Sequence, residues 1–252
     1  MAAASHPSHL FDASLSAHFF PLFHPLIVRR VRKVANLLSM SEACVITSMD
    51  RVVEAILDIH GHEIQLPRKG SARAKEVEQV FRSYSFVFRG CKGIIDCTHV
   101  GCTVPFAARL AGAAQAFKDR KGNTSLMYQV ITDCADSPMC LSVVGPMPGF
   151  NYDTTLWNQC RICMNLYKHY FNPKLSLGDN FNFFMGDAGY PLRPEMIRPY
   201  SAAESTGQSL EAQRRRTFNK RFSGCRVSVE RFFGMYVAYF VCFFLHLARK
   251  VA

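Results

Sequence analysis

The stretch FMGDAGYPL, Phe184–Leu192, places one carboxylate at the end of an apolar run. The aromatic and aliphatic residues before Asp187 are typical of a buried strand, and Gly189 and Pro191 after it predict a turn. Asp187 is therefore expected where a core strand reaches solvent. A carboxylate in such a place raises the question of which other acidic residues lie beside it.

Three strands are predicted upstream of this stretch. CKGIID, Cys91–Asp96, is an apolar run that ends in an acid. SLMYQVITDCA, Ser125–Ala135, alternates as a half-buried strand does, and MCLSVVG, Met139–Gly145, follows the turn residues Asp136–Pro138. The last two are expected to form a hairpin, which makes the first three strands antiparallel.

A helix is predicted over Asp153–Phe171, between the third strand and the strand that ends at Asp187. Because crossovers of this kind are right-handed, the fourth strand is expected beside the first and parallel to it. The fold class is therefore α/β, with a mixed sheet of three antiparallel strands and then a parallel strand, flanked by helices.

This topology brings two acids together at one edge of the sheet. Asp96 is expected to end the first strand and Asp187 the fourth, so their carboxylates should lie side by side. Adjacent carboxylates repel unless a cation or a proton intervenes, and Mg²⁺ or Mn²⁺ with oxygen ligands is a natural partner. Glu230, in the last helical region, is a candidate third ligand. The alternative for each acid alone is a turn former or a helix cap.

Charge favours a polyanionic partner. The 252 residues carry 30 Lys and Arg against 19 Asp and Glu, a formal charge of +11, which is most simply explained by nucleic acid binding. The alternative is a basic protein with no dedicated partner. Ten cysteines occur, but the first 30 residues have no basic region before their apolar stretch and contain Pro21 and Pro25, so we expect no signal peptide and reduced thiols in a cytosolic or nuclear protein.

Two further segments have patterns that could indicate a metal site or a membrane span. Cys160 and Cys163 form the C-x-x-C pair, with His169 nearby. Because no second pair of suitable spacing is evident, a pair of buried helix thiols is favoured over a metal site. The apolar run Met235–Ala248 has 14 residues, whereas a membrane span needs about 20, so a buried helix or strand is expected.

The chain is expected to divide into three parts. Residues 1–30 show no clear periodicity, and residues 31–88 form a helical region with a helix over Val31–Leu38 and a second helix opened by a capping box of Ser39 and Glu42. This region is either a degenerate helix-turn-helix or a plain helical hairpin that packs on the main domain. Residues 89–252 carry the predicted sheet and the acids.

Five blocks of sequence resemble, in order, the motifs of the DDE transposases of the PIF/Harbinger superfamily and of the nucleases derived from them. They are GIIDCTHV (93–100), FKDRKGNTSLMYQVITD (117–133), GPMPGFNYDTTLW (145–157), GDAGYPLRP (186–194) and FNKRFSGCRVSVERFFG (218–234). The resemblance implies an RNase H-like fold in residues 89–252 and divalent-metal-dependent cleavage and strand transfer of double-stranded DNA. The family's three metal-binding acids fall on Asp96, Asp187 and Glu230.

The resemblance also implies a nuclear protein that needs a Myb-like DNA-binding partner, and a homo-oligomer is a further expectation. Arg120 and Lys121 lie in the family's basic block, where they contact phosphates or form a solvated loop. Arg226 and Arg231 flank Glu230 and either neutralise phosphate or pair with acids. We expected one electropositive surface around the acids, formed by Lys118, Arg120, Lys121, Arg214, Arg215, Arg216, Lys220, Arg221 and Arg226.

Two other motif positions have open roles. His99 either contacts DNA or orients the turn, and Asp153 is either an N-cap, which we favour slightly, or a metal ligand. The sequence departs from the family at Cys97, where glycine is usual and a side chain would crowd the metal pocket if the backbone needed a positive φ. It also departs after Gly234, where the domain is expected to be shortened.

These departures leave three functions to consider. The first is a metal-dependent DNA endonuclease or transposase-like enzyme, which the intact set of acids favours. The second is a catalytically vestigial protein that binds DNA or a protein partner, which Cys97 and the shortened end favour. The third is a plain RNase H-like enzyme that cleaves RNA, which is weaker because the flanking blocks match transposases.

Overall fold

The structure is a computed structural model, and it describes residues 25–60, 63–64, 66–68, 70–104, 106–159 and 182–250. The helices are α1 (Pro25–Leu37), α2 (Glu42–His60), α3 (Ala72–Tyr84), α4 (Phe106–Leu110), α5 (Asp153–Gln159), α6 (Ala202–Ser205) and α7 (Leu210–Lys250). The strands are β1 (Cys91–Gly101), β2 (Ser125–Thr132), β3 (Cys140–Pro148), β4 (Phe183–Met185) and β5 (Met196–Ile197). Two short 3-10 turns cover Phe86–Phe88 and Ala114–Phe117.

The described strands form one mixed sheet in the order β3-β2-β1-β4-β5. Strand β2 is antiparallel to both β1 and β3, whereas β4 is parallel to β1 and to β5. This arrangement confirms the predicted mixed α/β sheet, with a hairpin from β2 to β3 and a parallel fourth strand beside the first. The short edge strand β5 was not predicted, because two residues carry no periodic signal.

Strand β1 is longer than the sequence indicated. The prediction that Asp96 ends the strand is wrong, because the chain continues as a strand to Gly101. Residues 97–101 pair with residues 125–129 of β2 and so stay extended. On its other side β1 loses its neighbour after Ile94 pairs with Met185. Asp96 therefore lies inside β1, just beyond the end of its contact with β4.

Strand β2 was expected to be half-buried, and this is wrong: all of its eight residues are buried. It lies between β1 and β3 and is covered on both faces, so even Gln129 is only 1% exposed. Of its polar side chains, Ser125 and Gln129 have hydrogen-bond partners in His99 and Tyr190, whereas the buried Oγ1 of Thr132 has none among the described residues.

The core has three layers. On one face of the sheet α3 and α7 contribute Phe81, Phe222 and Val229, all buried. On the other face α5 contributes Trp157, whose ring lies 6.2 Å from that of Phe184 on β4. Since alternate residues of a strand point to opposite faces, a polar residue near the end of a strand is positioned by whichever helix covers its face.

The two N-terminal helices form a hairpin with its own small core of Val31, Ala35 and Val45. The predicted capping box is wrong. Ser41, not Ser39, caps α2, because its Oγ accepts a hydrogen bond from the backbone N–H of Cys44 at 3.1 Å. Ser39 lies in the connecting turn with a φ of 52°. Whether this hairpin acts as a helix-turn-helix stays a prediction.

The apolar run Met235–Ala248 is part of the long helix α7. Of the helices described, none combines the length and the apolar character that crossing a bilayer requires. The predicted sites at Cys160, Cys163 and His169 lie outside the described residues, as do residues 1–24 and most of the predicted helix after Gln159.

Candidate active site

The pairing of β1 with β4 brings Asp96 and Asp187 together. Ile94 on β1 pairs with Met185 on β4, and each acid follows its paired residue by two positions. Asp96 continues along β1 while Asp187 begins the turn after β4, so the two acids lie near each other where this pairing ends. The negative charge of Asp187 helps to raise the pKa of Asp96, which shows that the two carboxylates interact electrostatically.

Asp96 is held by two hydrogen bonds. Its Oδ2 accepts from Nη2 of Arg226 at 3.0 Å, and its Oδ1 accepts from the backbone N–H of Cys97 at 2.9 Å. Burial, the largest effect, and the charge of Asp187 together raise the pKa of Asp96 more than Arg226 and the amide of Cys97 lower it, so the net shift is upward. The surroundings of Asp96 therefore stabilise its negative charge only in part, although Arg226 already contacts it.

Arg226 binds Asp96 through one nitrogen only. Its Nε is buried and has no hydrogen-bond partner among the described residues. A two-bond fork between arginine and a carboxylate would be stronger and more specific in geometry. The single bond leaves Asp96 oxygen lone pairs for other ligands.

Asp187 lies in a tight turn that its own oxygens stabilise. Its Oδ1 accepts from the backbone N–H of Gly189 at 2.9 Å, and its carbonyl accepts from the N–H of Tyr190 at 3.2 Å. A Cβ on Gly189 would lie 3.0 Å from Oδ1 of Asp187 and 3.4 Å from Oδ2 of Asp153. Gly189 thus leaves open the space between two carboxylates, and any larger residue would fill it.

Asp153 is not the N-cap that we favoured. Helix α5 begins at Asp153, and the carbonyl of the preceding Tyr152 accepts from Thr155 at 2.8 Å, so Tyr152 occupies the capping position. The Asp153 carboxylate contacts the Cys97 thiol. Asp153 therefore adds a third acid near the two strand acids, on the far side of Gly189.

Cys97 does not crowd the acids. Its backbone is extended within β1, opposite Gln129, so the positive φ that would have made a side chain costly is not needed. Its Sγ lies 3.3 Å from Oη of Tyr190, and Nε2 of Gln129 donates to the same Oη at 3.0 Å. Burial raises the pKa of the Cys97 thiol well above its usual range. The sequence did not single out Gln129 and Tyr190, which position this side of the site.

Glu230 is not grouped with the other two acids. It is exposed on α7, four residues after Arg226, and residues at that spacing share one face of a helix. The described part of the chain contains no group of three or more His, Cys, Asp or Glu side chains that could hold a metal ion. Of the three predicted ligands the structure therefore brings two together and leaves the third one helical turn beyond the Asp96–Arg226 contact.

The donor set fits a hard divalent cation at the two strand acids. Both ligands are carboxylates, burial and mutual repulsion raise the pKa of Asp96, and Gly189 keeps the adjoining space free. A cation between them would relieve the same repulsion that Arg226 now relieves in part.

Several of the basic residues that were predicted to form one electropositive surface make contacts within the protein, and whether they form one surface stays a prediction. Arg215 donates to the carbonyl of Glu204 at 3.0 Å and Arg216 to that of Ser205 at 2.6 Å, so both hold the segment around α6. Arg226 is bound to Asp96. Arg231 lies 3.5 Å from the exposed Asp136.

Arg120 and Lys121 are exposed in the loop before β2. The Arg120 guanidinium lies 5.0 Å from the centre of the Tyr152 ring. His99 is also exposed, with Nδ1 3.1 Å from Oγ of Ser125. These three residues lie toward the end of β1 that follows Asp96. Their contact with DNA stays a prediction.

Residues 95–251 match the family described as DDE superfamily endonuclease. The chain is also similar to "Protein ALP1-like" from Arabidopsis thaliana, with 25% identity over 195 residues. That alignment covers 75% of this chain but 44% of the relative, so the chain spans less than half of the relative's length. No solved structure matches the chain significantly. The family match confirms the recognition made from the five sequence blocks, and the sheet agrees with an RNase H-like DDE fold.

Proposed function

The chain belongs to the DDE superfamily of endonucleases, and we propose that it cuts or transfers DNA strands at a centre formed by Asp96 and Asp187. The observation that carries this proposal is the parallel pairing of β1 with β4, which sets two carboxylates from distant parts of the chain beside each other. Nothing in the packing of the core requires two acids there. Their mutual repulsion costs stability, which a functional role explains.

We propose Mg²⁺ or Mn²⁺ as the cofactor, with Asp96, Asp187 and Glu230 as its ligands. When bound, such ions stabilise the attacking and leaving oxygens of a phosphodiester displacement. Glu230 is included because it shares a helix face with Arg226, the residue through which α7 contacts Asp96. Asp153, on the other side of Gly189, is an additional acid within reach of the same centre.

Arg226 has two roles in this proposal. In the protein alone it neutralises part of the Asp96 charge through a single hydrogen bond. With a cation held by Asp96, the guanidinium of Arg226 would be available to donate to an oxygen of the DNA phosphate. Cys97, Gln129 and Tyr190 fix the backbone next to the acids, so that release of Arg226 need not disturb β1.

Double-stranded DNA is the proposed substrate, since a formal charge of +11 suits a polyanion and Arg120 and Lys121 are exposed near the site. The nuclear location, the Myb-like partner, the homo-oligomer and the division of the chain into residues 31–88 and 89–252 are proposals as well. They rest on the resemblance to the family.

A second candidate is a protein that binds DNA but no longer cuts it. Two observations favour it: Arg226 occupies one oxygen of Asp96, and Glu230 stands apart from the two strand acids. In this case the acids and Arg226 are a remnant that stabilises the sheet edge.

Nicking of supercoiled plasmid DNA in Mn²⁺ or in EDTA separates the two candidates. An enzyme nicks in Mn²⁺ only, and Asp96→Asn, Asp187→Asn and Glu230→Gln each reduce nicking to the level seen in EDTA. Asp136→Asn, at an exposed acid outside the site, is the matched control and should nick as the parent does. DNA binding by the parent without nicking would support the vestigial protein instead.

If only Glu230→Gln retains nicking, the two strand acids form the centre without it. Asp153→Asn then tests whether Asp153 supplies the third carboxylate.

A further inference from the structure

Two aromatic side chains stand exposed in the segment that precedes Asp153. Phe150 is 65% exposed and Tyr152 is 53% exposed, and their ring centres lie 6.4 Å apart at an angle of 61°. Single exposed apolar side chains are common, but neighbouring exposed aromatic rings form a patch of the kind that contacts other molecules. The quoted block GPMPGFNYDTTLW contains both rings, but the sequence alone gave no signal that they are exposed.

The backbone that carries these rings is held in place. The N–H of Gly149 donates to the carbonyl of Ser125 at 2.9 Å, and the N–H of Phe150 donates to the carbonyl of Ala116 at 3.0 Å. A Cβ on Gly149 would collide with Ser125, so this close approach of the two segments requires glycine. The rings therefore project from a fixed edge of the sheet rather than from a free loop.

A cation completes the surface. The guanidinium of Arg120 lies 5.0 Å from the centre of the Tyr152 ring, within the range of a cation–π contact. Its loop is fixed because Oδ1 of Asp119 accepts from the backbone N–H groups of Lys121 and Asn123, at 2.8 and 2.9 Å. Phe150, Tyr152 and Arg120 are called the aromatic platform below.

A cleft adjoins the same loop. Its volume is about 530 Å³, within the range of roughly 300–1,000 Å³ usual for small-ligand sites. Its lining is mostly polar and includes His99, Lys118, Asn123 and Ser125. Ser125 accepts the hydrogen bond from Gly149 and also lines this cleft, so platform and cleft share a wall.

The platform is close to the acids along the chain and along the strand. Tyr152 directly precedes Asp153, and the Cβ position of Gly189 lies 3.4 Å from Oδ2 of Asp153 and 3.0 Å from Oδ1 of Asp187, so Asp153 and Asp187 border the same small space. His99, in the cleft, follows Asp96 by three residues on β1, which is about 10 Å along the strand and places its side chain on the opposite face from that of Asp96. A DNA strand whose phosphate lies at the acids can therefore reach the platform within a few nucleotides.

We propose that the aromatic platform stacks an unpaired nucleobase of the DNA strand that is cut or transferred, and that the cleft receives the adjoining nucleotide. Exposed rings beside a cation are the features that bind single-stranded nucleic acid, because every base offers a flat face for stacking. Bases inside a duplex have both faces covered, so the ligand is a frayed or overhanging end. This inference rests on the proposed function, since it concerns the same DNA.

Binding measured in EDTA tests the platform without requiring cleavage. Fluorescence anisotropy compares a blunt duplex with the same duplex carrying a three-nucleotide single-stranded overhang. The parent should bind the overhang duplex more tightly than the blunt one. Tyr152→Leu and Phe150→Leu should each reduce this preference about fivefold or more, since stacking on an aromatic ring is lost while apolar bulk is kept.

Two variants serve as controls. Tyr152→Phe keeps the ring and should keep the preference. Tyr200→Leu removes a ring that Arg215 covers at 5.2 Å, an equivalent contact elsewhere in the fold, and should also leave the preference unchanged. Thermal melts of every variant confirm that it is folded.

The failures of the two proposals are distinguishable. If the parent binds both duplexes but shows no preference for the overhang, or if Tyr152→Leu keeps the full preference, the platform is overturned and the proposed function stands. If the parent binds neither duplex, the proposed function and the platform are both overturned. A 2-aminopurine base in the overhang should be quenched by the parent and less so by Tyr152→Leu.

Discussion

Removing the cation that contacts Asp96 should destabilise the protein. The side chains of Arg226 and Asp96 are 21% and 19% exposed, so the pair is mostly buried. Exposed pairs contribute about 0–1 kcal/mol, whereas breaking a fully buried pair costs about 3–5 kcal/mol because a charge is left unpaired. For a pair of intermediate burial that is joined by one bond, we expect Arg226→Met to lower the free energy of unfolding by about 2 kcal/mol.

The cause of this loss can be isolated with a double-mutant cycle. In an Asp96→Asn background the carboxylate charge is absent, so Arg226→Met should cost much less than it does in the parent. The coupling energy should be about 1–2 kcal/mol. The assay is urea unfolding at pH 7 in EDTA, and Arg231→Met, which loses only a contact with the exposed Asp136, should change the stability little.

The effect should depend on pH in one direction. Arg226 lowers the pKa of Asp96 in the folded protein, against the larger upward effect of burial. The variant Arg226→Met therefore has a still higher pKa at Asp96 in its folded state. The contribution of Arg226 is present where Asp96 is ionised and is lost as the pH falls through the pKa of the folded carboxyl, so the destabilisation should shrink toward acid pH.

Divalent metal should act on this variant more strongly than on the parent. Without Arg226 the two carboxylates keep their repulsion and no fixed cation competes for Asp96, so Mn²⁺ should bind more tightly and raise the Tm further. A coupling energy near zero, or equal Tm shifts by Mn²⁺ in the parent and in Arg226→Met, would refute the view that Arg226 substitutes for a metal.

Two further predictions concern the sheet and the thiols. Gly93→Ala should destabilise by about 1–3 kcal/mol in urea unfolding, because a Cβ there would overlap the side chain of Ile131, whereas Gly234→Ala, with no atom within 4 Å of its Cβ, should be neutral or stabilising. Maleimide at pH 8 should label the exposed Cys44 in the native protein and Cys97 only after unfolding, because burial raises the pKa of the Cys97 thiol; early labelling of Cys97 by mass spectrometry would contradict this.

The order of strands could be predicted from the sequence because each strong apolar run had a clear turn or helix after it. The hairpin of β2 and β3 and the parallel return of β4 follow from run lengths and from the handedness of crossovers. The length of β1 could not be predicted, because residues 97–101 do not continue the apolar run and are held extended by their pairing with β2.

The two strand acids could be predicted for the same reason: topology alone sets Asp96 beside Asp187. The partner of Asp96 could be predicted only in part: the sequence allowed Arg226 to pair with an acid, which the structure confirms, but did not indicate which acid. Arg226 follows Asp96 by 130 positions, and only the packing of α7 on β1 determines which residue of a basic helix meets the acid. The role of Asp153 was likewise hidden, because an acid at a helix start is usually a cap, and here its carboxylate turns toward Cys97 instead.

The capping residue of α2 could not be predicted from the sequence. Ser39 and Ser41 are both good capping residues, and the spacing of Ser39 to Glu42 favoured the wrong one. The helix α1 ends at Leu37, and the chain needs the left-handed conformation at Ser39 to turn toward α2, which excludes Ser39 as the cap.

Titration of the protein with Mn²⁺, followed by calorimetry or by the electron paramagnetic resonance of the free ion, tests the central claim most directly. Asp96 and Asp187 are proposed to hold a divalent ion together, so the parent should bind Mn²⁺ and both Asp96→Asn and Asp187→Asn should weaken that binding at least about tenfold, while Asp136→Asn binds as the parent does. Equal binding by the parent and by Asp187→Asn, or no saturable binding by the parent, would contradict the account.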